Sequence, residues 1–233
     1  MEQEKLIDIL LTTYNSNIAF LRQQIDSILN QSYRNFCLYI SDDCSSDNSV
    51  IDVLKEYQNS DNRIKLFFQE KNLGFSNNFE FLLNQSTADY IMFSDHDDIW
   101  HLDKIQKSLE KITELDVDLV YCDEKQIDES GKVIHESYLK YKNFPIVTGK
   151  DNMLAFTRSF CLGCSMIITK ELKEKMLPFK SEVIAHDWLA CFIASKNKGI
   201  GFIEEPLLDY RLHEANIYGG RSFRSNLERE KKR

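Results

Sequence analysis

Two periods of apolar residues share the first half of this chain. Short continuous runs at residues 6–11, 36–40, Ile64–Phe68 and 90–93 predict buried strands. Between them the apolar positions recur at helical spacing. Ile18, Leu21, Ile25, Ile28 and Leu29 form one such stripe, and Val50, Val53, Leu54 and Tyr57 form the next. Asp47, Asn48 or Ser49 can cap that second helix. An Asn72-Leu73-Gly74 turn precedes a third stripe at Phe75, Phe79, Leu82 and Leu83, and a fourth follows at Leu102, Ile105, Leu109 and Ile112. Strand followed by helix, repeated over residues 1–115, predicts an α/β domain built on a parallel sheet.

The second half is less regular. Residues 118–122 and 132–134 predict short strands, 151–158 a helix, 164–169 a strand and 171–176 a short helix. Ala185-His186-Asp187-Trp188 opens a helix whose apolar face includes Leu189, Phe192 and Ile193. Residues 200–203 and 206–210 predict extended segments.

Composition narrows the picture. The chain has 233 residues, a hydrophobic fraction of 42%, eight Gly and three Pro, enough for one large domain or two fused halves. A net charge of −8 lacks the basic footprint of a nucleic-acid binder. No apolar run reaches the roughly 20 residues of a membrane span. Residues 6–11 are too short, and too interrupted by Asp8, for a signal peptide. A cytoplasmic protein is expected. The six cysteines, Cys37, Cys44, Cys122, Cys161, Cys164 and Cys191, are scattered, and only Cys161-x-x-Cys164 has redox or zinc spacing. Buried free thiols are the expectation.

The chemistry gathers where the strands end. The run at 90–93 leads into Asp95, His96, Asp97 and Asp98. Carboxylates at the carboxyl end of a strand lie where open α/β sheets bind ligands. Their mutual repulsion is relieved by a hard divalent cation, which commonly also takes phosphate oxygens. A polar turn whose Asp97 or Asp98 caps the next helix explains the same run. Two further strands end in polar loops, at Thr13-Tyr14-Asn15 and at Asp42-Asp43. In a parallel sheet all three loops reach one edge.

In this order, Thr13-Tyr14-Asn15, Ser41-Asp42-Asp43 with Ser46-Asp47, Asn72-x-Gly74 and Asp95-His96-Asp97 resemble an inverting glycosyltransferase of family 2. The resemblance implies the GT-A fold: a Rossmann-like, mostly parallel sheet flanked by helices, with a smaller mixed sheet on the acceptor side. It covers nearly the whole chain. The implied division is a catalytic domain over 1–220, with a nucleotide-sugar half at 1–115 and an acceptor half at 116–220, and a basic tail at 221–233. Residues 94–100, Gly163-Cys164-Ser165-Met166, His186-Asp187-Trp188 and Tyr210-Arg211-x-His213-x-x-Asn216 are similar to the bacterial rhamnosyltransferases that build surface polysaccharides from dTDP-rhamnose. His96 departs from the Gln common in that branch.

Roles follow from the resemblance. Thr13, Asn15, Asp43 and Asn72 would hold the donor nucleotide, with Asp43 accepting the base imide N–H. Asp95 would lie near the donor ribose or sugar. Asp97 would be the chief ligand of Mn²⁺ or Mg²⁺, and His213 would bind the metal or diphosphate from the far side. Asp187 would be the general base on the acceptor hydroxyl, ionised by its place at a helix N-terminus, oriented by His186 and flanked by Trp188 as a platform for a sugar ring. The implied partners are a nucleotide-sugar donor, dTDP-rhamnose first and UDP-hexoses second, and a glycan or polyprenyl-diphosphate-linked acceptor. A sugar nucleotidylyltransferase would need a Gly-rich basic loop after the first strand, and Thr12–Asn17 has neither Gly nor a basic residue. A phospho-receiver domain leaves the second half unexplained. A non-catalytic sugar-nucleotide-binding module would be favoured by loss of the base or metal ligand, and Asp97 and Asp187 are both present. The tail, with six basic and two acidic residues, reads as a peripheral contact with the inner face of the cytoplasmic membrane. A solvated helix end, or part of a longer chain, explains it equally.

Overall fold

A computed structural model describes residues 4–157, 160–180 and 185–213. Asn216 and the tail at 221–233 lie outside the described residues. Strand β1 (Ile7–Thr13) is buried along its whole length, so its apolar run does not alternate. Ile7, Ile9 and Leu11 pack into one core and Leu10 into the core on the opposite face of the sheet. Asp8 interrupts the run because its Oδ2 accepts from Ser86 Oγ and from the backbone N–H groups of Thr87 and Ala88, at 2.8 to 2.9 Å.

The chain continues as α1 (Ile18–Leu29), β2 (Phe36–Asp42), α2 (Asn48–Ser60), β3 (Ile64–Phe68), α3 (Phe75–Gln85) and β4 (Tyr90–Ser94). Asn17 caps α1 and Asp47 caps α2 through their side chains. These strands pair in parallel in the order β3-β2-β1-β4. The order turns back at β1, between β2 and β4, and such a switch point opens a crevice at the carboxyl ends of the strands.

A two-residue strand, β5 (Ile99–Trp100), then precedes α4 (Lys104–Leu115). The helix starts later than its apolar period suggests, and Leu102 is left exposed in the turn before it. Neither Asp97 nor Asp98 caps it; Asp103 holds the position before its first turn. The second half supplies β6 (Leu119–Ile127), β7 (Val133–His135), α5 (Tyr138–Lys142), α6 (Leu154–Thr157), a 3₁₀ turn at Gly163–Ser165, β8 (Met166–Thr169), α7 (Lys170–Met176), α8 (His186–Lys196) and β9 (Ile200–Arg211). These strands extend the same sheet in the order β4-β8-β6-β9-β5, with β7 on β6. β8 is antiparallel to both neighbours, and β6 and β9 are parallel. The expected mostly parallel α/β architecture is therefore present, and its mixed acceptor-side strands are continuous with the parallel half.

Several boundaries differ, each for a local reason. β6 runs past 122 to Ile127 with Asp123, Glu124 and Gln126 buried in it, and Asp123 is tied to the segment that follows. Asp123 accepts from the Ser137 hydroxyl and from Leu139 N–H. The helix expected at 151–158 starts only at Leu154, since Asp151 is left-handed at φ 51° and the Asn152 side chain accepts from Leu154 N–H. The two extended segments expected at 200–210 form one strand that shifts register against β6 near Cys122–Lys125. α8 buries His186, Ala190, Cys191, Ala194 and Ser195; of the apolar face expected, Leu189 and Ile193 are half-buried against the core and Phe192 is exposed. Of the cysteines, Cys44 is exposed and Cys37 half-buried; the other four are buried. Cys161 faces Cys191, with sulfurs 3.2 Å apart, rather than Cys164. No helix of the described residues is long and apolar enough to cross a membrane.

Candidate active site

The strand ends β1, β2 and β4 meet at the switch point, and their loops are laced together. Thr13 Oγ1 donates to Asp42 Oδ1 at 2.8 Å, and Asp43 N–H donates to the Thr13 carbonyl at 2.8 Å. Asn15 takes a left-handed conformation, φ 47°. There its N–H reaches Ser45 Oγ at 2.8 Å while its Oδ1 accepts from Ser46 N–H at 2.9 Å. The Asp43 carboxylate accepts from Leu73 and Gly74 N–H at 2.7 and 2.9 Å. Asn72 Nδ2 donates to the Asp43 carbonyl at 3.3 Å. Gly74, at φ 81°, allows the turn that presents both amides.

The acidic loop is fixed from the other side by the end of β9. Ile99 and Trp100 pair with Asp209 and Leu208. Arg211 N–H donates to Asp98 Oδ1 at 3.1 Å, and two residues on, His213 Nε2 lies 2.6 Å from Asp97 Oδ2. A cavity of about 710 Å³ opens between these walls. Thr13, Asn15, Asp43, Asn72, Asp95, Asp97 and His213 all line it. Every residue expected at the donor and metal sites is thus brought to one place. Tyr14, half exposed, and Phe75 supply apolar faces.

Electrostatics separates the carboxylates. Burial, with the charges of Asp97 and Asp187, raises the Asp95 pKa to about 7. Burial presses upward on Asp97 too, but the His213 bond and the neighbouring imidazoles outweigh it and hold Asp97 below the usual carboxylate range. Asp98 is pushed well up by burial and by Asp97 and Asp95. Asp95, Asp98 and Cys164 offer ligand atoms within 4.8 Å of one another. Burial also drives the Cys164 thiol well up, and a thiol is a soft donor that suits a hard cation poorly. Asp97 and His213, 2.6 Å apart and both lining the cavity, offer the oxygen and imidazole donors that face the ligand space. Four carboxylates, those of Asp43, Asp95, Asp97 and Glu129, line the cavity, and no Lys or Arg does among the described residues. Among the described residues this lining offers a diphosphate no basic side chain, and its oxygen and imidazole donors fit Mn²⁺ or Mg²⁺.

Asp187 stands apart. It does not line the cavity, although its charge acts on Asp95. Its place in the first turn of α8 was expected to favour the ionised form. Burial wins instead and raises its pKa to about 6, against an opposing bond from Trp188 N–H at 2.6 Å. His186 does not orient it. Both imidazole nitrogens lack hydrogen-bond partners, and the ring packs against Phe75, Phe79 and Phe93 at 4.3 to 5.3 Å between centroids. Burial lowers the His186 pKa to about 3, so the ring is neutral. The Trp188 indole N–H is given to the Ala155 carbonyl at 3.2 Å. Sequence reasoning passed over Glu129, Phe20 and Asn78 in the cavity wall. Asp128-Glu129-Ser130-Gly131 is a turn signature that marks Glu129 only as a loop residue.

The model of the family described as Glycosyl transferase family 2 matches residues 8–177. The uncharacterized glycosyltransferase MJ1057 of Methanocaldococcus jannaschii is 27% identical over 217 residues, covering 91% of this chain and 73% of that protein. The dTDP-rhamnosyl transferase RfbG of Shigella flexneri is 28% identical over 233 residues, covering 94% of this chain and 77% of that one. The structure of S. aureus TarS 1-349 in complex with UDP-GlcNAc superposes with a TM-score of 0.69 at 18% identity, a likeness of fold. It covers 90% of this chain, which spans 59% of that structure.

Proposed function

The chain belongs to glycosyltransferase family 2, and we propose that it transfers a sugar, with inversion, from a pyrimidine nucleoside diphosphate donor to a glycan or polyprenyl-diphosphate-linked acceptor in bacterial surface polysaccharide synthesis. dTDP-rhamnose is the first donor and UDP-hexoses the second. The carrying observation is the cavity itself: a loop-built pocket with Asp43 in its wall, four carboxylates and no lining Lys or Arg among the described residues. RfbG, by its name a dTDP-rhamnosyl transferase, and the UDP-GlcNAc complex of TarS support a pyrimidine donor.

Thr13 and Asn15 shape the nucleoside pocket through the bonds that lace their loops, and the Asp43 carboxylate has lone pairs left for a base imide N–H. Asp97 and His213 would hold the divalent cation, with Asp95 toward the ribose or sugar. When bound, the cation supplies charge neutralisation to the departing diphosphate. The acceptor oxygen attacks the anomeric carbon as the bond to the diphosphate oxygen breaks, and that oxygen keeps the electron pair. Asp187 takes the acceptor hydroxyl proton. A base with a pKa of about 6 is largely ionised at neutral pH and still proton-seeking.

Calorimetry with dTDP, UDP, GDP and ADP in Mn²⁺ tests the donor: the two pyrimidine nucleotides bind more tightly, and tightest binding by a purine nucleotide rejects the reading. The basic tail adds a peripheral membrane contact. Deleting 221–233 weakens binding to anionic liposomes; unchanged, salt-sensitive binding by the shortened protein places that contact elsewhere.

A further inference from the structure

Arg211 is the last residue of β9 and among the largest fully buried side chains, 1% exposed. A buried guanidinium is costly unless its donors are satisfied. Here they reach several separate segments. Nε donates to the Asp97 carbonyl at 2.8 Å. Nη2 donates to Gln23 Oε1 on α1 at 2.6 Å. Nη1 lies 3.3 and 3.4 Å from the carbonyls of Asp128 and Glu129 in the β6–β7 turn. The guanidinium also lies over Phe20, 4.3 Å from the ring centroid, and Phe20 in turn lies 5.7 Å from the His213 ring.

Asp97, Glu129, Phe20 and His213 line the cavity; Arg211 does not. Its backbone and side chain therefore clasp three cavity walls from outside the ligand space. Bonding the Asp97 carbonyl rather than its carboxylate leaves that carboxylate for His213 and for a cation. Lys could keep the charge, but its single ammonium cannot present donors in the directions of a planar fork.

We propose that Arg211 is a positioning residue for the metal–diphosphate end of the cavity, setting Asp97, His213 and the Glu129 turn in mutual register; this rests on the donor-site reading above. The test measures dTDP affinity by calorimetry, in Mn²⁺ and with chelator, for wild type, Arg211→Lys and Gln23→Leu, each with a thermal melt. Arg211→Lys is expected to melt cooperatively. Its Mn²⁺-dependent gain in affinity falls at least tenfold while its affinity in chelator is unchanged. Gln23→Leu, which removes one acceptor only, shows a smaller fall of the same kind. An Arg211→Lys protein with a lower melting temperature but the wild-type metal-dependent gain overturns the proposal, because the residue then serves the fold alone. If Arg211→Lys does not fold, Gln23→Leu decides, and an undiminished gain there overturns it. A wild type with no metal-dependent gain removes the donor-site reading first, before any variant is compared, and this inference with it.

Discussion

Replacing Asp187 with Asn should slow turnover by orders of magnitude and stabilise the fold. The carboxylate is pushed from an ordinary 3.8 to about 6, chiefly by burial. A carboxylate whose folded pKa exceeds its unfolded value holds its proton more readily in the native state. That preference is fully felt below the unfolded pKa and is lost as pH rises through about 6. Above that pH the folded protein carries a half-buried charge that costs at most about 3 kcal/mol, at about 1.4 kcal/mol per pKa unit. Asn is neutral at every pH and its Oδ1 can still accept from Trp188 N–H, so much of that cost disappears at pH 7.5. The base disappears with it, and general-base contributions of roughly 10²–10⁴-fold predict a comparable fall in transfer rate. The assay pairs urea unfolding at pH 7.5 with sugar transfer to a polyprenyl-linked or synthetic acceptor and with dTDP calorimetry. In the wild type, kcat/KM should rise with pH through an acid limb near 6. Near-normal transfer by the variant places the base elsewhere. Loss of nucleotide affinity in parallel assigns Asp187 to the donor site. A less stable variant refutes the account of its burial.

Two further substitutions probe the cage beside Asp187. A Cβ on Gly163 would lie 2.5 Å from His186 Nε2, so Gly163→Ala should destabilise by about 1–3 kcal/mol in urea unfolding; an unchanged midpoint would show that the ring has room to move. His186, with its pKa lowered to about 3, stays neutral in the fold while the unfolded chain protonates near 6.5. Its contribution is present above pH 6.5 and is lost as pH falls toward 3, at up to about 1.4 kcal/mol per pH unit. His186→Phe should therefore lose stability less steeply than wild type in that window, and parallel stability curves would contradict this.

The parallel half was legible because β1, β2 and β4 are covered on both faces and so read as unbroken apolar runs. Its polar loops were legible for a related reason: residues that end such strands converge by topology alone. The second half hid its structure in long-range bonds. Asp123, Glu124 and Gln126 look like loop residues, yet they lie buried in β6, with Asp123 held by Ser137 and Leu139. The apolar period of α8 pointed to Leu189, Phe192 and Ile193; Leu189 and Ile193 do pack against the core, but the fully buried positions include the small residues Ala190, Cys191, Ala194 and Ser195, and Phe192 is exposed. His186 seemed placed to orient Asp187 because the two are adjacent in sequence. The aromatic rings that enclose it come from α3 and β4, and no local pattern announces them. The Asp97–His213 contact spans 116 positions; a motif at each end suggested it, and only the pairing of β5 with β9 explains it.

A cation held at Asp97 should govern diphosphate binding in the nucleotide cavity. This dependence is tested most directly by titrating dTDP against wild type and Asp97→Asn, each with Mn²⁺ and each with chelator. Tight binding by wild type in Mn²⁺ alone, with Asp97→Asn weakened at least tenfold there and matching wild type in chelator, is the predicted pattern. Equal affinity in all four conditions would contradict it.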